Sequence, residues 1–202
     1  MKRVIKIGGS LLKSSSLAER LSLWQENNET AHTLAIVGGG DLVNAIREID
    51  QISQLDRIET HWLCVELLRK TCEIMRQRLD WPVIDTATEL QNWIEHPDLR
   101  PPISLLQVDT FYSRPQESQK TNVQRPQTRL EPVSLPESWD TTTDAIAAVL
   151  AKHIEATELI LLKSCEVDQR LTLAELAEAE IVDRSFPAAA VGIKSVSIEK
   201  LG

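Results

Sequence analysis

The sequence has few cysteines, few glycines and no long apolar run, and these shortages exclude several classes of protein. Three cysteines among 202 residues, Cys64, Cys72 and Cys165, form no C-x-x-C pair, so we expect neither a disulfide framework nor a zinc site. No segment approaches the roughly 20 apolar residues of a membrane span. Lys6 and Gly8 interrupt the N-terminal apolar run, so no cleavable leader is expected. We therefore expect a cytoplasmic protein with reduced thiols and no membrane partner.

Positive charge is also scarce. The 22 Lys and Arg residues against 30 Asp and Glu residues give a net charge of −8 and a pI of about 5.1. Nucleic acids and anionic membrane surfaces need a basic face, so neither is an expected partner, and a small anionic ligand would need locally placed cations. The composition, 42% hydrophobic and 26% charged, is that of a globular chain. Its length predicts a single domain over residues 1–202.

Short apolar runs and amphipathic segments alternate along most of the chain, which predicts an α/β fold with a mainly parallel sheet. The predicted strands cover residues 3–7, 32–37, 82–84, 103–108, 158–163 and 194–199. The predicted helices cover 16–25, a run from residue 41, 56–79, 88–95, 144–154 (with Thr142 and Thr143 as candidate caps) and 172–179. Residues 113–136 hold four of the nine prolines. We interpret that Pro-rich segment as an excursion from the fold, a lid or flap.

Five of the seven glycines form two clusters, Gly8-Gly9 and Gly38-Gly39-Gly40, each between a predicted strand and a predicted helix. Glycine allows close approach of a ligand to the backbone, and the N–H groups of such a turn can bind phosphate. Neither cluster matches GxxxxGK[ST] or GxGxxG. The alternative, a tight strand-to-helix turn without a ligand, is the commoner explanation of a lone glycine cluster.

Two lysines stand at the ends of predicted buried strands. Lys6 precedes Gly8-Gly9 by two residues, and Lys163 ends the apolar run ELILLK. Because burying an ammonium group is costly without an anion, the pair indicates a shared anionic ligand. The alternative for each lysine is a side chain that extends to solvent. Asp144, in the first turn of a predicted helix, either orients these lysines or only complements the helix dipole.

Three segments resemble, in the same order, the motif blocks of the amino-acid kinase family: VIKIGGSLL (4–12), AIVGGGDLVN (35–44) and SWDTTTDAIAAVLAKHIEATELILLKS (138–164). That family includes aspartokinase, acetylglutamate kinase and uridylate kinase. LPESWDTTTDAIA (135–147) and the short tail are most similar to a small archaeal-type branch of it. The named member of that branch is the aminomethylfuran-methyl phosphate kinase of methanofuran biosynthesis.

The resemblance implies a three-layer αβα sandwich in which ATP, with Mg²⁺, and an acceptor lie end to end across the carboxyl ends of the strands. It assigns catalytic roles to Lys6, Lys163 and Asp144. It assigns the ATP phosphates to Gly8, Gly9, Ser10 and Lys163, and the acceptor to Gly38, Gly39, Gly40, His61, Thr142 and Thr143. A structural role is the alternative for His61. No residue is assigned as a metal ligand or catalytic base, and a homodimer is expected.

The implied function is an ATP-dependent kinase that transfers the γ-phosphoryl group to a phosphate or carboxylate of a small anionic molecule. A phosphorylated aminomethyl-furan of a methanofuran-like C1 cofactor pathway fits the branch, and an isopentenyl-phosphate-like or amino-acid acceptor stays open. One segment departs from the family pattern, because SCEVDQR (164–170) lacks the glycine of the usual DVDGVY. A non-catalytic nucleotide- or metabolite-binding protein on the same fold is therefore the alternative function.

Overall fold

A computed structural model describes residues 1–28, 31–114 and 135–201, and in that part of the chain a parallel sheet of six strands forms the centre. The strands follow the order β3-β4-β2-β1-β5-β6, and every neighbouring pair is parallel. Their bounds are β1 Lys2–Ile7, β2 His32–Val37, β3 Val83–Ile84, β4 Ile103–Leu106, β5 Glu158–Lys163 and β6 Ser195–Lys200. The predicted parallel sheet is confirmed.

Helices connect these strands and begin or end within a few residues of the predicted positions. Their bounds are α1 Leu17–Glu26, α2 Gly40–Ser53, α3 Arg57–Arg76, α4 Ala87–Glu95, α5 Thr143–His153, α6 Leu173–Glu178 and α7 Phe186–Ala190. Short 3₁₀ turns cover Gly9–Lys13, Pro97–Leu99 and Val108–Thr110. The sequence pattern missed α7, which is five residues long. Of the predicted excursion over 113–136, residues 115–134 lie outside the described residues.

The helices lie on both faces of the sheet, so the predicted three-layer αβα sandwich is confirmed. Val4 and Leu161 belong to the core on one face, which the sheet shares with α4, α5 and α7. Ile5 and Ile160 belong to the core on the other face, shared with α1 and the second half of α3. In the described part of the chain, no helix is both long and apolar enough to cross a membrane.

Strand alternation explains why the two predicted lysines project toward the same helix. Successive side chains of a strand point to opposite faces, so Lys6 shares the face of Val4, and Lys163 shares the face of Leu161. β1 and β5 are neighbours, with Lys6 opposite Leu161 in the register. α5 packs against both strands on that face. The sheet therefore presents both ammonium groups to the beginning of α5.

The apolar side of α2 differs from that of the other long helices. The sequence places Leu42, Ala45, Ile46 and Ile49 on one side of the helix, as a core-facing pattern would. None of the residues of α2 is buried against the described part of the chain, and Ile52, which continues this side, is 85% exposed. The amphipathic pattern thus predicted the helix correctly, but the apolar side of α2 does not contribute to either core.

Candidate functional site

The two glycine turns meet at the carboxyl edge of the sheet. β1 ends at Ile7 and β2 at Val37, and Gly38 N donates to Ile7 O at 2.9 Å. A β-carbon on Gly9 would lie 2.0 Å from the backbone nitrogen of Gly40, and one on Gly40 would lie 2.5 Å from Gly9 O. Gly40 also has a φ of +55°. Glycine is therefore required at both positions because the two turns pack backbone against backbone.

The remaining glycines of the two clusters bring other parts of the site close together. A β-carbon on Gly38 would lie 3.2 Å from both Lys6 Cε and Thr143 Oγ1. One on Gly8 would lie 2.8 Å from Leu162 O, whose carbonyl already accepts from Gly8 N at 2.8 Å. These contacts place the second glycine turn beside Lys6 and the first turn of α5, and the first glycine turn against the end of β5. The first N–H groups of a helix have no intrahelical partners, so the beginning of α2 is a favourable position for an anion.

Asp144 joins the two strand-end lysines. Its Oδ1 lies 2.8 Å from Lys6 Nζ, and its Oδ2 accepts a hydrogen bond from Lys163 Nζ at 2.8 Å. The carboxylate is almost fully buried, at 3% exposure, and Lys6 is 6% exposed. Of the two alternatives for Asp144, the contacts favour the one in which its carboxylate orients both lysines. The two cations exceed the charge of this single anion by one unit.

Burial and charge act against each other in this cluster. Burial raises the pKa of Asp144, but Lys6 and then Lys163 act more strongly together and hold that pKa below its ordinary value. Burial, followed by repulsion from Lys6, lowers the pKa of Lys163 to about 8, although Asp144 opposes this shift. Lys163 is thus mostly protonated at neutral pH. Because this pKa is lower than that of an ordinary lysine, the ammonium form of Lys163 is less favoured, and a bound anion would stabilise it.

Asp183 is a member of the site that the sequence analysis missed. Thr142 is the cap residue of α5, but in the described structure its side chain makes no capping bond to the helix. Instead, Asp183 Oδ2 accepts from Thr142 N at 2.9 Å, Thr142 Oγ1 at 2.8 Å and Ala145 N at 2.9 Å. An acidic residue in a short turn gives no sequence signal that it caps α5, because the residues that donate to it lie about forty positions earlier in the chain.

A small cavity of about 50 Å³ opens beside Gly39 on the side where the resemblance expects the acceptor. Predicted acceptor residues line it, together with side chains from α2, α3 and α5; the lining includes Gly39, His61, Cys64, Trp139, Thr142 and Thr143. Burial lowers the pKa of His61 and raises that of Cys64 to about 11. Both side chains are therefore uncharged at neutral pH.

His61 and Trp139 are held in place by protein contacts at the rim of this cavity. His61 Nε2 is 3.0 Å from Tyr112 Oη, so the histidine also ties α3 to the residues before the Pro-rich segment. Trp139 Nε1 donates to Asp50 at 2.6 Å, and the guanidinium of Arg47 lies 4.7 Å from its ring centre. Both side chains thus make a structural contact and also line the cavity. For His61, the structural role and the predicted acceptor-binding role are therefore compatible.

The segment after β5 is held by internal bonds. Ser10 Oγ and Ser164 Oγ are 2.8 Å apart, which links the first glycine turn to the end of β5. Further along, Gln169 Nε2 donates to Ile198 O at 2.9 Å, and Arg170 pairs with Asp168 at 2.6 Å. Segment 164–170 is therefore a folded turn against β6, although it lacks the glycine of the family pattern.

The side chains of the site fit Mg²⁺ only as an ion brought by a nucleotide. Both oxygens of Asp144 already face ammonium groups, and Asp183 Oδ2 accepts three hydrogen bonds. Among the residues described, no three His, Cys, Asp or Glu side chains are grouped as a metal site requires. Mg²⁺ commonly keeps its water ligands and binds through substrate phosphates, a mode that requires no carboxylate from this cluster.

A larger open groove of about 710 Å³ lies elsewhere, between α3 and the β3 edge of the sheet. Its lining includes three basic and three acidic side chains, Arg69, Lys70, Arg76, Glu73, Asp80 and Asp85. None of the predicted site residues lines it. The charges of these six side chains balance, so the groove has no net attraction for an anion, and the candidate site remains the carboxyl edge at the glycine turns.

Comparisons with known proteins agree on the fold. No family model and no curated protein matches the sequence. Uridylate kinase from Archaeoglobus fulgidus superimposes with a TM-score of 0.61 at 16% identity, over 100% of this chain and 91% of that one. UMP kinase from Ureaplasma parvum gives 0.61 at 13% identity, over 99% and 89%. Aspartate kinase from Synechocystis gives 0.60 at 16% identity, over 99% of this chain and 39% of the other. Together with the parallel six-stranded sheet, these likenesses show that the chain has an amino-acid kinase-like fold.

Proposed function

We propose that this protein is a phosphotransferase that moves the γ-phosphoryl group of ATP to an anionic group of a small molecule. The observation that supports this most is the buried Asp144 carboxylate, which holds Lys6 and Lys163 together where the two glycine turns meet. Positioning and charge stabilisation are the main requirements of phosphoryl transfer. Two ammonium groups held by one buried carboxylate at the glycine turns would serve both requirements.

In the proposed reaction, an oxygen of the acceptor forms a bond to the γ-phosphorus of ATP. The bond from that phosphorus to the bridging oxygen breaks, and ADP leaves with the electron pair. Lys6 and Lys163 neutralise charge on the oxygens of the transferring group, and Asp144 keeps both ammonium groups at that place. Bound Mg²⁺ would supply further neutralisation of the nucleotide phosphates. A phosphate or carboxylate acceptor is already anionic, so no residue is required as a base.

We propose further that the two ends of the site divide as the sequence resemblance implies. Gly8, Gly9 and Ser10 would bind the ATP phosphates, and Gly38 to Gly40 would bind the acceptor. The cavity beside Gly39 then receives the rest of the acceptor, with His61, Thr142 and Thr143 along its wall. The link between Ser10 and Ser164 supports the nucleotide side, because it joins the first glycine turn to the end of β5.

The acceptor that we propose first is a phosphorylated aminomethyl-furan of a methanofuran-like C1 cofactor pathway, on the sequence similarity of residues 135–147. Isopentenyl-phosphate-like compounds and amino acids are the other acceptor classes. Two structural neighbours are named for UMP and aspartate, which adds both molecules to the panel. An experiment with ATP, Mg²⁺ and each acceptor, read by ³¹P NMR, distinguishes these classes by the product resonance.

The decisive variant is Lys6→Ala. Loss of one donor to the transferring group should lower turnover by about 10²-fold or more. Lys13→Ala is the matched control, because Lys13 follows the same turn but forms an exposed ion pair with Asp41. We expect Lys13→Ala to retain turnover and both variants to keep the wild-type circular dichroism spectrum. Near-normal turnover of Lys6→Ala would refute the proposed function.

The second candidate function is a nucleotide- or metabolite-binding protein without catalysis. The observation that favours it is segment 164–170, where the family glycine is absent and internal bonds fill the turn. Calorimetry with ATP and Mg²⁺ measures binding separately from transfer. Tight binding with no phosphorylated product from any acceptor in the panel would favour this second function.

The expected homodimer stays a prediction. The exposed apolar side of α2, with Leu42, Ile49 and Ile52, is an apolar surface that a second copy could cover. Light scattering at micromolar protein concentration gives the molar mass directly. A mass close to the 22.7 kDa of one chain would refute the homodimer.

A further inference from the structure

Asp183 lies in the turn between α6 and α7 and touches the first turn of α5 with one of its two carboxylate oxygens. Oδ2 accepts three hydrogen bonds, two from Thr142 and one from Ala145 N. An anionic side chain at a helix N-terminus satisfies free N–H groups and complements the helix dipole. In most helices the cap residue itself supplies this oxygen. Here a distant part of the chain supplies it.

The turn that Asp183 caps is the one that carries Asp144. Thr142 and Ala145, which donate to Asp183, flank Asp144 in sequence, so the cap fixes the backbone on both sides of it. Two further bonds align the same segments. Ser185 N donates to Asp140 O at 3.0 Å, and the hydroxyls of Thr141 and Ser185 are 3.1 Å apart. The position of Asp144 between its lysines therefore depends on the 183–185 segment.

The other oxygen of Asp183 has no such partners. Oδ1 is shielded from solvent and has no hydrogen-bond partner within the described part of the chain, and the residue is 9% exposed. Burial, and then repulsion from Asp144 on α5, raises the pKa of Asp183 to about 6. Lys163 on β5 and Tyr112 also feel its charge. Asp183 thus changes its charge close to physiological pH, beside the ion cluster.

We propose that Asp183 is a positioning residue of the site, which holds the first turn of α5 so that Asp144 stays between Lys6 and Lys163. This inference rests on the proposed function for its effect on turnover. The capping bonds are stronger when the carboxylate is ionised. Turnover therefore falls as the pH decreases through about 6, where Asp183 becomes neutral. Because Asp183 and Asp144 interact, the midpoint belongs to the pair.

The test compares Asp183→Asn and Asp183→Ala with Glu178→Gln, which alters an exposed carboxylate at the end of α6. The amide oxygen of Asn still accepts hydrogen bonds but does not ionise near pH 6. We expect Asp183→Asn to fold and to lose the decline of turnover near pH 6. Asp183→Ala should lower kcat by roughly tenfold to a hundredfold, with less effect on the KM for ATP. Glu178→Gln should match the wild type in all measurements.

A second readout does not depend on activity. Competitive labelling of lysines with acetic anhydride over a range of pH, followed by mass spectrometry, reports the pKa of Lys163. In Asp183→Asn the loss of a neighbouring negative charge should move this pKa below its wild-type value of about 8. If the wild type transfers no phosphoryl group, the proposed function fails, and the labelling still decides the inference. An unchanged Lys163 pKa, or an unchanged pH profile in an active Asp183→Asn variant, would overturn the positioning role.

Discussion

Replacement of Asp144 by asparagine removes the negative charge that lies 2.8 Å from both Lys6 and Lys163. The substitution changes little in volume, so packing is conserved and the effect is electrostatic. Removal of one partner from a buried ion pair costs about 3–5 kcal/mol, because the remaining charge stays buried without compensation. For a chain of this size, such a loss lowers the Tm by roughly 6–20 °C.

The predicted loss of stability depends on pH, and the sign follows from Lys163. The pKa of this lysine is about 8 in the folded protein and 10.5 for an ordinary lysine, so the unfolded chain binds more protons between these values. The free energy of unfolding of the wild type therefore rises as the pH increases from about 8 to 10.5. Without Asp144, the pKa of Lys163 falls further, and the rise begins at lower pH. The deficit of Asp144→Asn should thus be largest near pH 6 and smaller at pH 9.

Urea unfolding at pH 6 and at pH 9, followed by circular dichroism, measures both quantities. Asp41→Asn is the matched control, because Asp41 also pairs with a lysine but is more than half exposed. An exposed pair contributes less than about 1 kcal/mol, so this variant should unfold close to the wild type at both pH values. If Asp144→Asn costs no more than Asp41→Asn, the cluster is not a desolvated ion pair and the argument fails.

Two further predictions concern the glycine turns and the thiols. Gly9→Ala should lower the free energy of unfolding by about 1–3 kcal/mol in the same urea assay, because its β-carbon would overlap the backbone of Gly40. Iodoacetamide at pH 7.5 should modify the exposed Cys165 first, as measured by peptide mass spectrometry. Burial raises the pKa of Cys64 to about 11 and that of Cys72 to about 12, so both stay thiols and react slowly.

Each of these two predictions has a clear contrary result. A Gly9→Ala variant as stable as the wild type would show that the two turns do not stay packed together in solution. Modification of Cys72 before Cys165 would show that the second half of α3 separates from the sheet, because Cys72 is buried there beside Met75.

Much of the site was predictable because its geometry follows from short-range rules. Strand alternation directs Lys6 and Lys163 to one face, and parallel strands bring their carboxyl ends to one edge. Asp144 was identified from its place in the first turn of a helix, and the structure brings all three together. The family resemblance supplied their order along the chain. These rules need only the local sequence and the assumption of a parallel sheet.

The rest depends on contacts between distant segments, for which the sequence has no local signal. Asp183 reaches the cap of α5 across 41 positions from Thr142, and it resembles any acidic turn residue. The contact of Gly9 with Gly40 was also hidden, because a glycine cluster predicts a turn and does not reveal what the turn touches. The exposure of Leu42 and Ile49 on α2 was not predicted, because periodicity identifies the apolar side of a helix but not the element that it packs against.

The contact between the two glycine turns has a consequence for how this site can evolve. Any side chain larger than a hydrogen atom at Gly9 or Gly40 would push the turns apart, so these positions cannot vary to fit a different ligand. Variation is open instead on α3 and near Trp139, where Cys64 and His61 face the cavity. Related proteins that bind different ligands should thus keep glycine at both positions and differ in the side chains that line the cavity.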